Sequence, residues 1–198
     1  AAAGSVPAAY VFGGARQKLS AAGSTSGWAS NLSSGAVTMT SRKIVQGVVW
    51  DNRNSTTSGY MIQIGASHLP TDTKIILRYL DTGTLTDLES GLSAPALGGA
   101  YFLAWAIDTT AKTCSVWVIT PDGTVTTNTV AIPGTPSAAA GGQAFIGSSL
   151  ASSTLNALTG DVYRYRVWDI LFSTNNVRAV YNTDRGQING VQWVGTEA

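Results

Sequence analysis

The sequence predicts an all-β protein, a two-sheet antiparallel β-sandwich with one short helix near its C-terminus. Apolar and polar residues alternate with a period of two in many short runs rich in β-branched and aromatic residues. Gly, Pro, Asp and Asn interrupt these runs at short intervals, as turn residues do. Helical periodicity is confined to one segment, and strands do not alternate with helices, so a parallel α/β sheet is not expected.

The first half of the chain contains four strand-like runs. They cover residues 37–40, 43–50, 60–64 and 74–80. A polar loop at 51–59 separates the second run from the third, and Asp81-Thr82-Gly83 ends the fourth. These interruptions are short enough for successive strands to be antiparallel neighbours.

The second half begins with the clearest hairpin prediction. Residues 101–107 and 114–119 are its arms, and residues 108–113 join them. Pro121-Asp122-Gly123 then turns the chain into a strand at 124–126, because Pro fixes φ and Gly accepts a positive φ. Further strands are predicted at 143–147 and 161–168.

One segment near the C-terminus has a helical pattern. Ser173 is a suitable N-cap for a helix through Tyr181. Its apolar positions share one face through i, i+3, i+4 spacing: Val177, Val180 and Tyr181. Asn182 and the Asp-Arg-Gly run that starts at residue 184 are expected to end this helix.

The chain of 198 residues fits one domain of the larger all-β kind. We expect the sandwich to span residues 10–198, because no linker or repeat divides the chain. Residues 1–9 are expected to form an N-terminal arm that a partner would have to order. Cys114 is the one cysteine, so an internal disulfide is excluded, and its alternating apolar surroundings predict a buried, unreactive thiol.

Charged residues make up only 12% of the chain, and 12 Lys and Arg nearly balance 11 Asp and Glu. Without a basic run, neither nucleic acid nor an anionic membrane is expected as a partner. Surfaces made instead of Ser, Thr, Asn, Gln and Gly are common on proteins that work outside cells. No apolar run approaches the roughly 18 residues of a membrane span, and no signal peptide is visible. The Ala start fits a chain trimmed of its initiator Met, and equally a mature secreted protein.

Catalytic side chains are scarce. Glycoside hydrolysis needs two carboxyl groups across the scissile bond, yet Glu89 and Glu197 are the only glutamates. The nearest pair, Asp87 and Glu89, lies in a turn-like stretch that we interpret as a solvated loop. His68, the one histidine, is interpreted as a loop residue rather than a general base. The sequence therefore predicts no catalytic residues and no cofactor.

Residues 101–182 resemble the laminin-G/pentraxin branch of the concanavalin A-like lectin and glucanase superfamily. The similar features are the hairpin with its Asp-Gly turn, an Ile-Gly strand end, a Gly-led alternating strand and a short helix. The last three are FIG at 145–147, GDVYRYRVW at 160–168 and VRAVYN at 177–182. The resemblance implies a jelly-roll sandwich. The strand motif of the superfamily's glucanases, two Glu flanking an Asp, is missing here.

Relatives in this superfamily often hold Ca²⁺ at the rim of the sandwich. Asp51, Asn52 and Asn54 would offer three oxygens, whereas calcium takes about six to eight. Arg53 would also place a cation among them. We therefore favour an Asx-rich turn at this position, with calcium as the alternative.

Sugar binding on sandwiches uses exposed aromatic rings with polar neighbours. Three tryptophans in apolar strands are expected in the core instead: Trp105, Trp117 and Trp168. Trp28, in a Ser/Thr/Gly-rich segment, is the first candidate for an exposed ring. Tyr60 at a loop–strand junction and Trp193 near the C-terminus come next. The predicted ligand-binding residues are Trp28, Tyr60, Asp51 and Asn54.

These observations predict a non-enzymatic surface protein. The leading hypothesis is a bacteriophage virion protein, a capsid decoration or a tail or fibre component with weak glycan affinity. It would be an oligomer or be docked on other virion proteins. The alternative is a secreted carbohydrate-binding module or lectin whose partner is a cell-surface glycan. A polysaccharide-acting enzyme is the third hypothesis.

Overall fold

A computed structural model gives the fold of the chain. The structure describes residues 10–13, 19–22, 32–41, 47–53, 59–65, 72–81, 84–95, 100–120, 122–134, 143–147, 158–168 and 170–187. These residues form twelve strands and one helix, and the strands assemble into two six-stranded sheets. All neighbouring strands are antiparallel. The predicted β-sandwich with a C-terminal helix is confirmed.

Each sheet collects strands from distant parts of the chain. Sheet A contains β1 (Tyr10–Gly13), β3 (Leu32–Ser41), β8 (Ala100–Asp108), β9 (Thr113–Ile119), β10 (Val125–Ala131) and β12 (Thr159–Trp168), in the order β1-β12-β3-β8-β9-β10. Sheet B contains β2 (Leu19–Ala22), β4 (Gly47–Asp51), β5 (Tyr60–Ile64), β6 (Lys74–Asp81), β7 (Thr84–Ser93) and β11 (Gln143–Ile146), in the order β2-β11-β4-β5-β6-β7.

The hairpin of β8 and β9 follows the predicted arms. The two strands pair at seven consecutive positions without a bulge. Asp108 Oδ1 accepts the backbone N–H groups of Thr110 and Ala111 at 2.8 and 2.7 Å, and these bonds close the turn. Lys112 completes the turn with a φ of 55°. The turn therefore depends on one aspartate side chain as well as on backbone geometry.

The turn from β9 into β10 has the chemistry that its sequence predicts. Gly123 has a φ of 85°, and Asp122 Oδ1 accepts the Thr124 N–H at 3.0 Å. The strand that follows is longer than predicted, since β10 continues to Ala131 and pairs with β9 along its whole length.

A line of aromatic rings joins the two sheets. Trp50 of sheet B lies 5.3 Å from Tyr60 and 5.7 Å from Trp105 of sheet A, measured between ring centroids. Trp105 extends the line to Tyr165 at 6.0 Å. The side chains of Trp50 and Trp105 have no exposed surface, which confirms the predicted core position of Trp105. Such aromatic pairs add favourable geometry to the burial of large apolar area.

Gly35 on β3 makes the space that Trp105 occupies. The two residues are paired in the register of sheet A. A Cβ placed on Gly35 would overlap the six-membered ring of Trp105. A glycine is therefore required beside the largest side chain of the inner layer for a steric reason.

A second apolar cluster lies on the outer face of sheet A, beneath the helix. Its principal side chains are Phe102, Ala104, Trp117, Ile119, Phe172, Val177 and Tyr181. Trp117 is 4% exposed and donates from Nε1 to Thr174 Oγ1 at 3.1 Å. Trp168 is partly buried and stacks near Phe172 at 4.6 Å. Trp117 is thus a core residue as predicted, but it belongs to the helix-covered layer rather than to the space between the sheets.

Helix α1 (Thr174–Gln187) begins where the sequence predicts and ends later. Ser173 and Asn176 cap it reciprocally, because Ser173 Oγ accepts the Asn176 N–H at 3.3 Å and Asn176 Oδ1 accepts the Ser173 N–H at 2.9 Å. Val177 and Tyr181 are fully buried, as the spacing predicts. The predicted end after Tyr181 is wrong, since the helix continues to Gln187. Among the described residues, no helix is long and apolar enough to cross a membrane.

Asp184 explains why the helix continues. Its carboxylate points at sheet A, where it binds Arg166 Nη2 at 2.8 Å, Thr38 Oγ1 at 3.2 Å and Arg164 Nη1 at 3.5 Å. Burial raises the pKa of Asp184, and the two guanidinium groups oppose that effect. A residue whose type suggests a helix stop is therefore an anchor of the helix on the sheet.

Strand β7 corrects another expectation. Asp87 and Glu89 were expected in a loop, but they lie within the ten-residue strand at the edge of sheet B. Leu88 and Leu92 on the alternate face pack against the core. The two acidic side chains are exposed, so the prediction of a solvated position is correct although the predicted loop is wrong.

Replacing Gly35 with Ala should lower the free energy of unfolding by about 1–3 kcal/mol, because the new methyl group overlaps Trp105 and forces it from its rotamer. Urea unfolding followed by tryptophan fluorescence measures the change. Ser93→Ala, at an exposed position of β7, is the control and should stay within about 0.5 kcal/mol of the unsubstituted chain. A Gly35→Ala variant as stable as that control would contradict the assigned packing.

Candidate functional site

The outer face of sheet B carries a row of four aligned side chains across four strands, three of them charged. The register aligns Asp51 of β4, Met61 of β5, Arg78 of β6 and Asp87 of β7. Alternation places all four on the face turned away from the core. We call this surface the outer platform; it also includes Arg53, Gln63, Lys74, Ile76 and Glu89.

At the β4 end of the outer platform, Asp51 and Arg53 form a buried ion pair. Arg53 donates from Nε and Nη2 to the two carboxylate oxygens of Asp51 at 2.9 and 2.8 Å. The Asp51 side chain has no exposed surface and that of Arg53 is 12% exposed. Asp51 Oδ1 also accepts the Arg53 backbone N–H at 3.0 Å. Both carboxylate oxygens therefore have strong local partners.

The loop base beside this pair is built by Asn52 and Gly59. Asn52 Oδ1 accepts the Tyr60 N–H at 2.9 Å, and the Asn52 N–H donates to the Tyr60 carbonyl at 3.1 Å. Gly59 has a φ of 98°, and a Cβ there would lie 2.6 Å from the Arg53 Cα. The favoured Asx turn is confirmed for Asp51, whose Oδ1 accepts the N–H two residues on, whereas Asn52 closes the base of the loop instead.

At the end formed by β6 and β7, the outer platform carries two further ion pairs. Arg78 Nη2 donates to Asp87 Oδ2 at 2.6 Å, with Nε on Oδ1 of the same carboxylate. Lys74 Nζ donates to Glu89 Oε1 at 2.7 Å. These hydrogen bonds raise the pKa of Arg78 and of Lys74 above their ordinary values. The pairs hold four hydrogen-bonding groups on neighbouring strands in fixed relative positions.

Exposure divides the platform into a closed part and an open part. Met61, Gln63 and Ile76 have no exposed surface although they lie on the outer face. Lys74 and Glu89 are about half exposed, and the Asp87 side chain is 37% exposed. Leu85, the next outward residue of β7, is 51% exposed. The part accessible to a ligand is therefore the surface of β6 and β7.

The structure changes the roles of two predicted ligand-binding residues. Tyr60 was expected to present an exposed ring, and this is wrong, because its side chain is 1% exposed and packs on Trp50 between the sheets. Asp51 is engaged by Arg53, so the cation expected to disfavour calcium sits on the carboxylate itself. Trp28 and Asn54 lie outside the described residues, so their roles stay predictions.

The described residues offer little for catalysis. His68 and Trp193 lie outside them. Within them, no group of three or more His, Cys, Asp or Glu side chains could hold a metal ion. Asp87 and Glu89 share one strand face and each faces its own cation. Cys114 is fully buried, as predicted, and burial raises its pKa to about 12, so a thiolate nucleophile is strongly disfavoured.

Sequence reasoning missed the basic members of the open part. Arg78 and Lys74 stand four residues apart on one face of a strand, while Asp87 and Glu89 stand two apart on the next strand. A signal was present, because oppositely charged positions on consecutive alternating strands can face one another. It could be used only once residues 84–93 were recognised as a strand.

Comparisons with known proteins bear on the fold. No protein-family model matches the chain, and no curated protein matches it in sequence. The native heptameric SAP-like pentraxin from Limulus polyphemus is similar in structure, with a TM-score of 0.60 and 14% identity over 94% of this chain and 85% of the pentraxin.

Two other solved structures have the same architecture. The CBM40 of a Ruminococcus gnavus IT-sialidase gives a TM-score of 0.55 at 11% identity, over 84% of this chain and 98% of that domain. Domains LG4-5 of the mouse laminin α1 chain give 0.58 at 11% identity, over 88% of this chain and 46% of that one. The chain thus has the jelly-roll sandwich fold of these domains, as its resemblance to the laminin-G/pentraxin branch implies.

Arg53→Met should lower the free energy of unfolding by about 3 kcal/mol, because it leaves the buried Asp51 carboxylate without its bidentate partner. Lys74→Met is the matched control, since it removes a cation from an exposed pair and should cost no more than about 1 kcal/mol. Chemical denaturation of both variants measures the difference. Equal losses in the two variants would contradict the structural importance of the Asp51–Arg53 pair.

The Cys114 thiol should be unreactive toward a disulfide reagent at about pH 8 in the folded protein and should react fully after denaturation. Its folded pKa, about 12, lies above the ordinary value of 9.0. Between about pH 9 and 12 the folded protein therefore keeps the thiol proton of Cys114, whereas the unfolded chain has lost it. This stabilisation is complete below about pH 9 and is lost as the pH rises toward about 12.

The free energies of unfolding of the natural chain and of Cys114→Ala, measured at a series of alkaline pH values, test the direction of this change. The stability advantage of the natural chain should shrink between about pH 9 and 12, because only the natural chain has this thiol to titrate. Stoichiometric labelling of the folded protein would show that Cys114 is accessible and would contradict its burial.

Proposed function

We propose that the chain is a non-enzymatic glycan-binding domain, and that the open part of the outer platform contacts the sugar. The observation that carries the proposal is the two acid–base couples on β6 and β7, Arg78–Asp87 and Lys74–Glu89, in which the Arg78 side chain is 15% exposed and the other three are at least 37% exposed. Each couple presents a donor and an acceptor side by side. Adjacent hydroxyl groups of a sugar ring both donate and accept, so such couples suit them.

Leu85 supports the same assignment. It is 51% exposed and lies two residues from Asp87 on the same face of β7. Sugar rings have an apolar C–H face as well as hydroxyl groups, and binding surfaces combine apolar contact with a few fixed polar groups. An exposed leucine beside fixed charges provides both kinds of contact.

The charge balance of the open part indicates the class of sugar. Lys74 and Arg78 contribute two positive charges, and Asp87 and Glu89 contribute two negative charges. A strongly anionic polysaccharide would meet as much repulsion as attraction on this surface. We therefore propose a neutral or singly charged oligosaccharide as the ligand.

Similar structures support a binding role. The R. gnavus CBM40 also matches in complexes with α2,3- and α2,6-sialyllactose, both at a TM-score of 0.55 or above. The likeness also extends to sialidase chains, of which this chain covers about a quarter. For the present chain an enzymatic role has less support, because the exposed acids of the outer platform are each paired with a cation.

A glycan array followed by calorimetric titration tests the proposal. The array should include neutral oligosaccharides and both sialyllactose isomers. Arg78→Ala and Asp87→Ala should each weaken binding at least about tenfold, because each removes a charged hydrogen-bonding group worth about 1.5–3 kcal/mol. Arg178→Ala, an exposed arginine on α1 at the opposite face of the domain, should leave binding unchanged.

Retained folding is checked by the melting temperature of each variant. Loss of binding in the Arg178→Ala control as well, or full binding by both platform variants, would place the sugar elsewhere on the chain. A natural chain that binds no glycan on the array would overturn the proposed function itself.

The virion surface location predicted from the sequence stays a prediction, as does its extracellular alternative. Mass spectrometry of purified phage particles tests the first, since the chain should be present there in stoichiometric amounts. Its absence from such particles would leave the secreted glycan-binding domain and the polysaccharide-acting enzyme as the remaining hypotheses.

A further inference from the structure

Among the described strands, β10 forms one edge of sheet A and differs from the other sheet edges. Edge strands expose unpaired backbone groups, and proteins usually protect them with short length, charges, prolines or bulges. β1 and β2 are four residues long. β7 carries Asp87 and Glu89 and has a bulge opposite Lys74 and Ile76. Three of the four sheet edges formed by the described strands are thus protected.

β10 has none of these protections. Its seven residues, Val-Thr-Thr-Asn-Thr-Val-Ala, include no charge and no proline. Its pairing with β9 is regular from Val125 to Ala131. The strand is also exposed on both faces, from Thr126 to Thr129 without interruption. β-Branched residues fill most of its positions, and such residues favour strand pairing.

The position of β10 is fixed from within the domain. Ser115 Oγ and Thr129 Oγ1 share a hydrogen bond of 2.7 Å. Asn128 Nδ2 donates to the Ser90 carbonyl at 2.8 Å, which ties β10 to the neighbouring edge of sheet B. The edge is therefore a preformed strand, so pairing with another strand would require little further ordering.

We propose that β10 is a self-association edge, at which a second copy of this chain adds its own β10 in antiparallel orientation and sheet A becomes continuous across the pair. A two-fold axis between the two Asn128 residues would align the β10 strands of the two copies in opposite directions. Thr127 would then face Thr129 of the second copy, and Thr126 would face Val130. These are β-branched pairs without like-charge repulsion, the kind that stabilises antiparallel sheets.

The charged residues at the ends of β10 support this orientation. In the antiparallel register, Asp122 lies opposite Gly134 of the second copy. Lys112 Nζ is bound to the Gly134 carbonyl at 2.6 Å, so the exposed Asp122 carboxylate approaches that ammonium group. Two acids also lie at the Gly134 end. Asp108 accepts the backbone N–H groups of its own turn, whereas the Asp81 carboxylate lies against Gly134, so Asp122 would meet both Lys112 and Asp81 there. A parallel arrangement would bring Asp122 beside Asp122.

Because the β10 edge is complementary to an identical edge, the partner is a second copy of the chain. An isologous pair closes on itself, because the same edge is used by both subunits. The protected edge β7 offers no equivalent site for a third copy. The expected product is a dimer rather than a fibre. The glycan site proposed on sheet B is separate, so the dimer does not depend on it.

Sedimentation velocity over a range of micromolar concentrations measures the association. The natural chain should be a concentration-dependent dimer. Thr127→Lys should raise the dimer dissociation constant at least about tenfold, because it introduces the charge that edge strands use against pairing. Thr183→Lys is the matched control: it places the same charge at an exposed position of α1, beside Asp184 and over β3 and β12, and should leave the constant unchanged. Circular dichroism and the melting temperature report retained folding.

Cysteine crosslinking tests the register independently. Under mild oxidation Asn128→Cys should form a disulfide-linked dimer, because the two residues 128 face each other at the axis. Thr126→Cys should not, because its two copies would be about 14 Å apart along the strands, beyond disulfide reach. Cys114 is buried and serves as an internal control.

A natural chain that stays monomeric would overturn the proposal. So would a dimer that Thr183→Lys dissociates and Thr127→Lys does not, since its interface would then involve the helix. Open-ended assemblies would exclude the isologous pairing. Equal crosslinking of Thr126→Cys and Asn128→Cys would exclude the register. Glycan binding is measured separately, and its loss or retention leaves these outcomes unaffected.

Discussion

The two sheets are held together at their centre by the contact between Trp50 and Trp105. It is the point at which the two sheets touch through their largest side chains, with ring centroids 5.7 Å apart. The contact requires Gly35, because any side chain there would occupy the space of the indole ring. With the inner faces joined in this way, the outer face of each sheet is available for another purpose.

The two outer faces serve different purposes because they carry different chemistry. Sheet A presents small and aromatic residues, which the helix covers, and Asp184 fixes the helix on Arg164 and Arg166. Sheet B presents paired charges instead. In a chain with 12% charged residues, three ion pairs on one sheet face are a marked concentration. The helix therefore packs on sheet A, and the glycan contact that we propose lies on sheet B.

Much of the fold could be predicted from local patterns. β8, β9 and the cap at Ser173 follow directly from alternation, turn chemistry and helix spacing. β7 was missed because an edge strand with one solvated face contains the Ser, Gly and acidic residues of a loop. The end of the helix was missed because Asp184 is a helix breaker by type, and its partners lie about 20 residues or more away in sequence.

Residues close together in the chain were sufficient to predict the period of the strands, the turns, the burial of Cys114 and the Asx turn at Asp51. The packing of distant segments was needed to place Tyr60 in the core and Arg78 against Asp87. Alternation gives a strand two faces but does not say which one is inward. That choice depends on packing and register between distant segments, where the burial of large apolar side chains outweighs the preference of any single residue.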